Sequence, residues 1–433
     1  MPINLPTYSL SERDKASVWH PFTPIKTSGN PIALVKGEGA YLIDEDGNRY
    51  LDAVASWWVN VHGHAHPYLA KKIYEQALKL EHTIFAGFTH QPAVDLAERL
   101  LHFFDGHFGK VFFSDNGSTS VEVALKMALQ YFKNTNQKRR KILAFEHAYH
   151  GDTFGSMSVG SRNVFTEAFT DLLFDVEFIP TKWVENQNEF VHQLESKIKT
   201  GEYAAFIFEP LVQGASGMLM HDAHWLSGLI KLCQANGIIC IADEVFTGFY
   251  RTGKRFASDY LTEKPDIICL SKALTGGMMA LGATLATPKI FNAFVSDNKH
   301  HTFFHGHSFT ANPIACAAAN ASLDLMAELD FKTHVERITQ RFRKEQEKLA
   351  LHPALIEART LGAVLALEIK TNWETGYLNG VSELATSFFL KKGIYLRPLG
   401  NVLYVTPPYI VTNAELDFIF IAIDEFLSEH VKI

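Results

Sequence analysis

Only four cysteines occur in the chain, Cys233, Cys240, Cys269 and Cys316, and no two form a Cys-x-x-Cys pair. That spacing excludes a disulfide framework or a thiolate metal site, and it predicts reduced core thiols in a cytoplasmic protein. No uninterrupted apolar run reaches the ~18 residues a membrane helix needs, so no membrane span is expected. Positive charge is not in excess: the formal net charge is −7, which argues against a nucleic-acid binder. The opening MPINLPTYSLSERDKA is polar, and no targeting leader is expected from it. No internal repeat or low-complexity segment breaks the chain. Phenylalanine, by contrast, is abundant at 33 residues, which predicts tightly covered sheets or a large subunit interface. A length of 433 residues predicts two domains, or one large domain with extensions.

The order of elements narrows the fold. Alternation over Ala40 to Ile43, then Asp46-Gly47, then Tyr50-Leu51 is the pattern of a β-hairpin. From about residue 110, apolar runs alternate with helical patterns. The runs are Val111 to Phe113, Ile142 to Phe145, Ala204 to Phe208, Ile238 to Ala242 and Ile267 to Leu270. A helix is expected at 119–132 and another over LSGLIKLCQANG. Continuous apolar strands separated by helices predict a largely parallel sheet covered on both faces. The tail carries amphipathic patterns around 331–350, 381–392 and 413–430, with short strands around 363–369 and 402–405. The fold class expected is therefore α/β, with a smaller α+β domain beside the sheet.

Each central strand is followed at once by polar residues: Ser114-Asp115, Glu146-His147, Glu209-Pro210, Asp243-Glu244 and Ser271-Lys272. Ligands of open parallel sheets bind beyond the carboxyl ends of the strands, so these pairs are expected to meet in one crevice. Lys272 taken alone reads as a surface lysine, or as an amine that condenses with an aldehyde cofactor. Asp243 alone reads as a turn cap, or as a carboxylate holding a proton on a pyridine nitrogen, which makes that ring an electron sink. Together the two favour the cofactor. Gly117-Ser118-Thr119 opens a helix whose free N–H groups suit a phosphate, and Thr119 to Glu122 has capping-box spacing. Tyr149 offers a ring for stacking, and Glu209 is either a site carboxylate or a turn residue. Arg397 is either a bidentate partner for a substrate carboxylate or a surface ion-pair member. His62, His64 and His66 alternate, but no acidic or cysteine partner has matching spacing, so no metal site is expected there. His301, His305 and His307 read the same way.

These pieces resemble the class III (fold type I) aminotransferases over nearly the whole chain. The resemblance rests on Trp19-His20-Pro21-Phe22, the paired Trp57-Trp58, and Tyr149-His150-Gly151-Asp152-Thr153-Phe154-Gly155. It extends through Ala242 to Phe249, Arg251-Thr252-Gly253-Lys254, Ser271-Lys272, Arg397-Pro398-Leu399-Gly400-Asn401 and Pro407-Pro408-Tyr409. The double Trp, the His-Gly-Asp-Thr-Phe-Gly run and the Arg-Pro are similar to the family's biotin-synthesis branch. The resemblance implies pyridoxal 5′-phosphate, with Lys272 as its Schiff-base lysine and Asp243 as the partner of its ring nitrogen. It implies Gly117 and Ser118 at the phosphate, Tyr149 stacked on the ring, and Ser308 reaching the phosphate of a neighbouring subunit in a homodimer. Trp57, Tyr149, Lys272, Gly306 and Arg397 would contact substrate, with Arg397 on the carboxylate of the keto acid. The implied reaction converts 8-amino-7-oxononanoate to 7,8-diaminononanoate with S-adenosylmethionine as amino donor.

The implied fold has a mostly parallel seven-stranded sheet in a large domain (61–325). A small domain would be built from 326–433 joined by residues 1–60. Two positions depart from the branch. Phe22 stands where a Tyr is common, and Gly306-His307-Ser308 where Gly-Pro-Thr is common; both bear on the donor. The alternatives are another class III enzyme acting on a diamine, ornithine or 4-aminobutyrate, or a non-catalytic cofactor-binding protein.

Overall fold

The computed structural model describes residues 8–181, 187–372 and 378–431. Seven strands form one sheet. Their order is Lys110–Ser114, Gly282–Ala286, Ile267–Leu270, Ile239–Asp243, Tyr203–Phe208, Lys141–Phe145 and Glu177–Ile179. The pairings from Ile267–Leu270 to Glu177–Ile179 are parallel. Gly282–Ala286 runs antiparallel to both its neighbours, so it is the one reversed strand of this sheet. The expected α/β architecture with a mostly parallel seven-stranded sheet is therefore present.

The strands are apolar throughout because both faces are covered. Ile207, Ile239, Ile241, Ile267 and Cys269 pack with Val121, Ala124, Leu125, Ala128 and Phe132 of the helix Gly117–Asn134. Their alternates Phe206, Phe208, Cys240, Ala242, Ile268 and Leu270 join Trp225, Leu226, Leu229 and Ile230 of the helix Ala223–Ala235 on the other face. Neighbouring residues of one strand thus feed opposite cores, as a period of two requires. All four cysteines are buried with free thiols. Among the described residues, no helix is long and apolar enough to cross a membrane.

Outside this sheet, the expected hairpin is Tyr41–Asp44 paired with Arg49–Asp52. It lies in a four-stranded sheet with Leu34–Glu38 and, from the far end of the chain, Ile394–Tyr395. Leu355–Leu361, Val364–Ile369 and Val402–Val405 form a three-stranded antiparallel sheet. The helices Leu329–Leu349, Val381–Lys391 and Asn413–His430 accompany it.

Candidate active site

Parallel strands end on one edge of a sheet, and here that edge opens into a cavity of about 420 Å³. Asp115, Glu209, Asp243, Ser271 and Lys272 all line it, so four of the five strand-end pairs contribute at least one residue, while Ser114, Pro210 and Glu244 do not line it. The fifth pair contributes none. Glu146 and His147 are turned away: His147 has φ 62°, and the Glu146 carbonyl accepts bonds from Gln213 (2.9 Å) and Thr181 (3.1 Å). The residues that follow them, Tyr149, His150 and Gly151, line the cavity instead.

Lys272 starts a single helical turn, Lys272–Thr275, directly after its strand. Its φ of 47° is a left-handed conformation that costs a lysine energy and marks functional sites. Burial pushes the amine down to about 8, against an upward pull from Asp243 and Glu209. An amine so tuned is more often neutral, and therefore more nucleophilic, near neutral pH.

Asp243 is held from both sides. Its Oδ1 accepts the Val245 N–H at 3.0 Å, and its Oδ2 accepts His150 Nδ1–H at 2.7 Å. Both side chains are buried, and His150 Nε2 is buried without a partner among the described residues. His150 is a site residue that sequence reasoning missed; it appeared only inside a run of recognisable residues. Glu209 is similarly fixed, accepting N–H groups from Tyr149 (3.1 Å) and Gly214 (2.9 Å). Burial raises its carboxyl to about 7, with His150 pulling downward.

At the other end of the cavity, Gly117 and Ser118 begin the helix Gly117–Asn134. The capping box lies one turn earlier than its sequence spacing suggested: Asn116 accepts the Thr119 N–H at 2.9 Å, and Thr119 reciprocates. Glu122 is instead drawn to the start of the next helix, where it accepts N–H groups from Gly155 (2.7 Å) and Ser156 (3.1 Å). Two glycines keep the cradle open. A Cβ on Gly117 would lie 2.6 Å from Val245 Cγ1, and one on Gly151, at φ +124°, would lie 2.0 Å from Ser118 Oγ. Close packing thus requires glycine at both positions, and the helix start beside them offers backbone N–H groups of the kind that suit an anion.

A second chamber of about 330 Å³ shares Trp58, Tyr149 and Lys272 with the first. Its wall holds Arg397, whose guanidinium carbon is 4.7 Å from the Trp57 ring centroid. Phe22 meets Trp57 edge-on at 5.5 Å and Phe165 at 5.7 Å. This is a largely aromatic chamber with one arginine in its wall. Gly306 and Ser308 line neither chamber of this chain; both lie exposed on the segment 303–310. His64 bonds Asp52 at 2.8 Å and His62 bonds Ser322 at 2.9 Å. No group of three or more His, Cys, Asp or Glu is arranged for a metal among the described residues.

The model of the family described as aminotransferase class-III matches residues 25–427. The adenosylmethionine-8-amino-7-oxononanoate aminotransferase of Synechococcus elongatus is 47% identical over 420 residues, covering 95% of this chain and 98% of that protein. A crystal structure of the enzyme of the same name from Methanocaldococcus jannaschii superposes with a TM-score of 0.91 at 35% identity, covering 97% of this chain and 98% of that one. A PLP-bound amine transaminase from an uncultivated Pseudomonas species gives 0.89 at 30% identity, over 95% and 98% of the two chains. On a match spanning residues 25–427 and relatives this similar over their full lengths, the chain belongs to the class-III aminotransferases.

Proposed function

We propose that this chain aminates 8-amino-7-oxononanoate to 7,8-diaminononanoate, taking the amino group from S-adenosylmethionine and using pyridoxal 5′-phosphate as its cofactor. The observation that carries the reading is the meeting of an amine, a buried carboxylate and a helix N-terminus around one cavity: Lys272, Asp243 and Gly117-Ser118. That set fits a flat phosphate ester bearing an aldehyde and a ring nitrogen. Gly117 and Ser118 would hold the phosphate through backbone N–H groups, Asp243 the ring nitrogen, Lys272 the aldehyde carbon, and Tyr149 a ring face. When bound, the protonated pyridine supplies the electron sink on which transamination depends.

The rest belongs to the chain. Asp243, kept in place by His150 and the Val245 N–H, keeps the ring nitrogen protonated. Lys272 Nζ, once free, takes the proton from the donor's amine-bearing carbon and later delivers one to the product's new amine-bearing carbon. Arg397 binds the carboxylate of the keto acid as a charge-assisted pair. Trp57, Phe22 and Phe165 exclude water from its aliphatic chain. Ser308 acts in the partner's site of a cytoplasmic homodimer, with Gly306 beside it near substrate. Residues 61–325 carry the cofactor, and 326–433 with 1–60 form the small domain.

The test is turnover. The purified protein is given 8-amino-7-oxononanoate with S-adenosylmethionine, then with other amines in its place. Formation of 7,8-diaminononanoate from S-adenosylmethionine is expected. A protein that ignores the keto acid while consuming a diamine, ornithine or 4-aminobutyrate would overturn the reading.

A further inference from the structure

The turn that carries Trp58 is strained, and the strain aims its indole. Ala55, Ser56 and Trp58 have φ of 49°, 60° and 70°, left-handed conformations that are unfavourable for a residue with a Cβ. Asp52 holds the turn by accepting N–H groups from Val54 (3.1 Å) and Ser56 (2.6 Å). The indole is then locked: Nε1–H donates to the Tyr404 hydroxyl at 3.2 Å, and Phe246 packs on the ring at 4.6 Å. The atom that meets the locked rings is Lys272 Nζ, 4.4 Å from the Trp58 centroid and 5.7 Å from that of Phe246. Both distances are inside the ~6 Å reach of a cation–π contact.

We infer that Trp58, backed by Phe246, is a positioning residue that berths the ammonium of Lys272 on its ring face whenever the freed amine carries a proton. The inference rests on Lys272 being the reactive amine proposed above. The berth answers a specific problem. A lysine released from covalent attachment has four rotatable bonds and would otherwise sample many positions before its next proton transfer. Burial pushes this amine down to about 8, and a π face offsets part of that push by stabilising the charged form. Asp243 and Glu209 act in the same direction as the ring, and Arg251 acts against it. His150, Tyr149 and Asp115 share the cavity wall. Asp152 and Arg397 line the outer chamber.

The test changes the ring's electrons with little change in its shape. The full chain is produced with its six tryptophans replaced by mono- and then poly-fluorinated tryptophan, and the coenzyme is removed. Reaction of Lys272 with formaldehyde and cyanoborohydride is followed against pH by peptide mass spectrometry. Each fluorine weakens the ring's attraction for a cation, so the Lys272 midpoint is expected to fall stepwise, by up to about one pH unit. In Trp58→Phe the dependence on fluorine should vanish. A midpoint indifferent to fluorination, or equally sensitive in Trp58→Phe, overturns the inference. The fluorinated series needs no substitution and so stands even if Trp58→Phe fails to fold. Reconstitution of the same samples tests the underlying reading separately. A chain that shows the fluorine dependence but never regains a coenzyme chromophore fails that reading and keeps the berth.

Discussion

His150 Nδ1 donates to Asp243 Oδ2 at 2.7 Å, and both side chains are buried at the edge of the sheet. A buried carboxylate keeps its charge only where donors compensate it, and His150 is the side chain that does so here. His150→Phe should therefore lower kcat by roughly 100-fold, the scale of losing one preorganised electrostatic partner. KM for the keto acid should change far less, because the place proposed for that substrate is the other chamber. Steady-state kinetics check this; an equal loss in KM with kcat intact would contradict it.

Arg397 lies against Trp57, so its charge is presented by an aromatic wall. Arg397→Met should raise KM for the keto acid roughly 10- to 100-fold, the worth of a charged hydrogen-bonded pair, with a smaller change in kcat. Arg397→Lys should not restore it, since a lysine offers neither the planar fork nor the stack. An unchanged KM in Arg397→Met would show that the carboxylate binds elsewhere.

A methyl group at Gly117 would press on Val245 Cγ1, a β-branched side chain beside Asp243 with little freedom to move. Gly117→Ala should weaken cofactor binding, with about 1–3 kcal/mol of overpacking strain to relieve. Equilibrium titration of the coenzyme-free protein measures it. Wild-type affinity in that variant would mean that the helix start does not hold the phosphate.

Why some of this was legible in the sequence and some was not follows from what each residue depends on. Lys272 and Asp243 each end an apolar run, and a parallel sheet brings such ends together whatever lies between them. The helices 329–349 and 413–430 declare themselves by their period. The strand Gly282–Ala286 carries no such pattern. It is made mostly of small residues, and Gly282 serves close approach, since a Cβ there would lie 2.4 Å from the Asn116 carbonyl oxygen. His150 gains its role from a turn that swings Glu146 and His147 outward, which no spacing rule encodes. Ser308 and Gly306 face neither chamber of their own chain, so their proposed roles depend on a second copy.

His62 links the fold to pH. It is buried against Phe331 and Ser322, and burial, with His66 nearby, lowers it from 6.5 to about 3. The native ring stays neutral while the unfolded chain takes up a proton below pH 6.5. The stability this residue confers is therefore complete above pH 6.5 and is lost as pH falls towards 3. Relative to His62→Asn, the wild-type chain should lose about 1.4 kcal/mol for each pH unit below ~6. Denaturant unfolding at a series of pH values checks this; parallel curves for the two proteins would contradict it.

Cofactor attachment and proton transfer both depend on a covalent role for one amine. The most direct measurement treats the coenzyme-loaded protein with borohydride, digests it and maps the modified peptide. A phosphopyridoxyl group on Lys272 is the predicted result, together with loss of both label and turnover in Lys272→Ala. A label on another lysine, or a Lys272→Ala protein that still takes the label and turns over substrate, would contradict it.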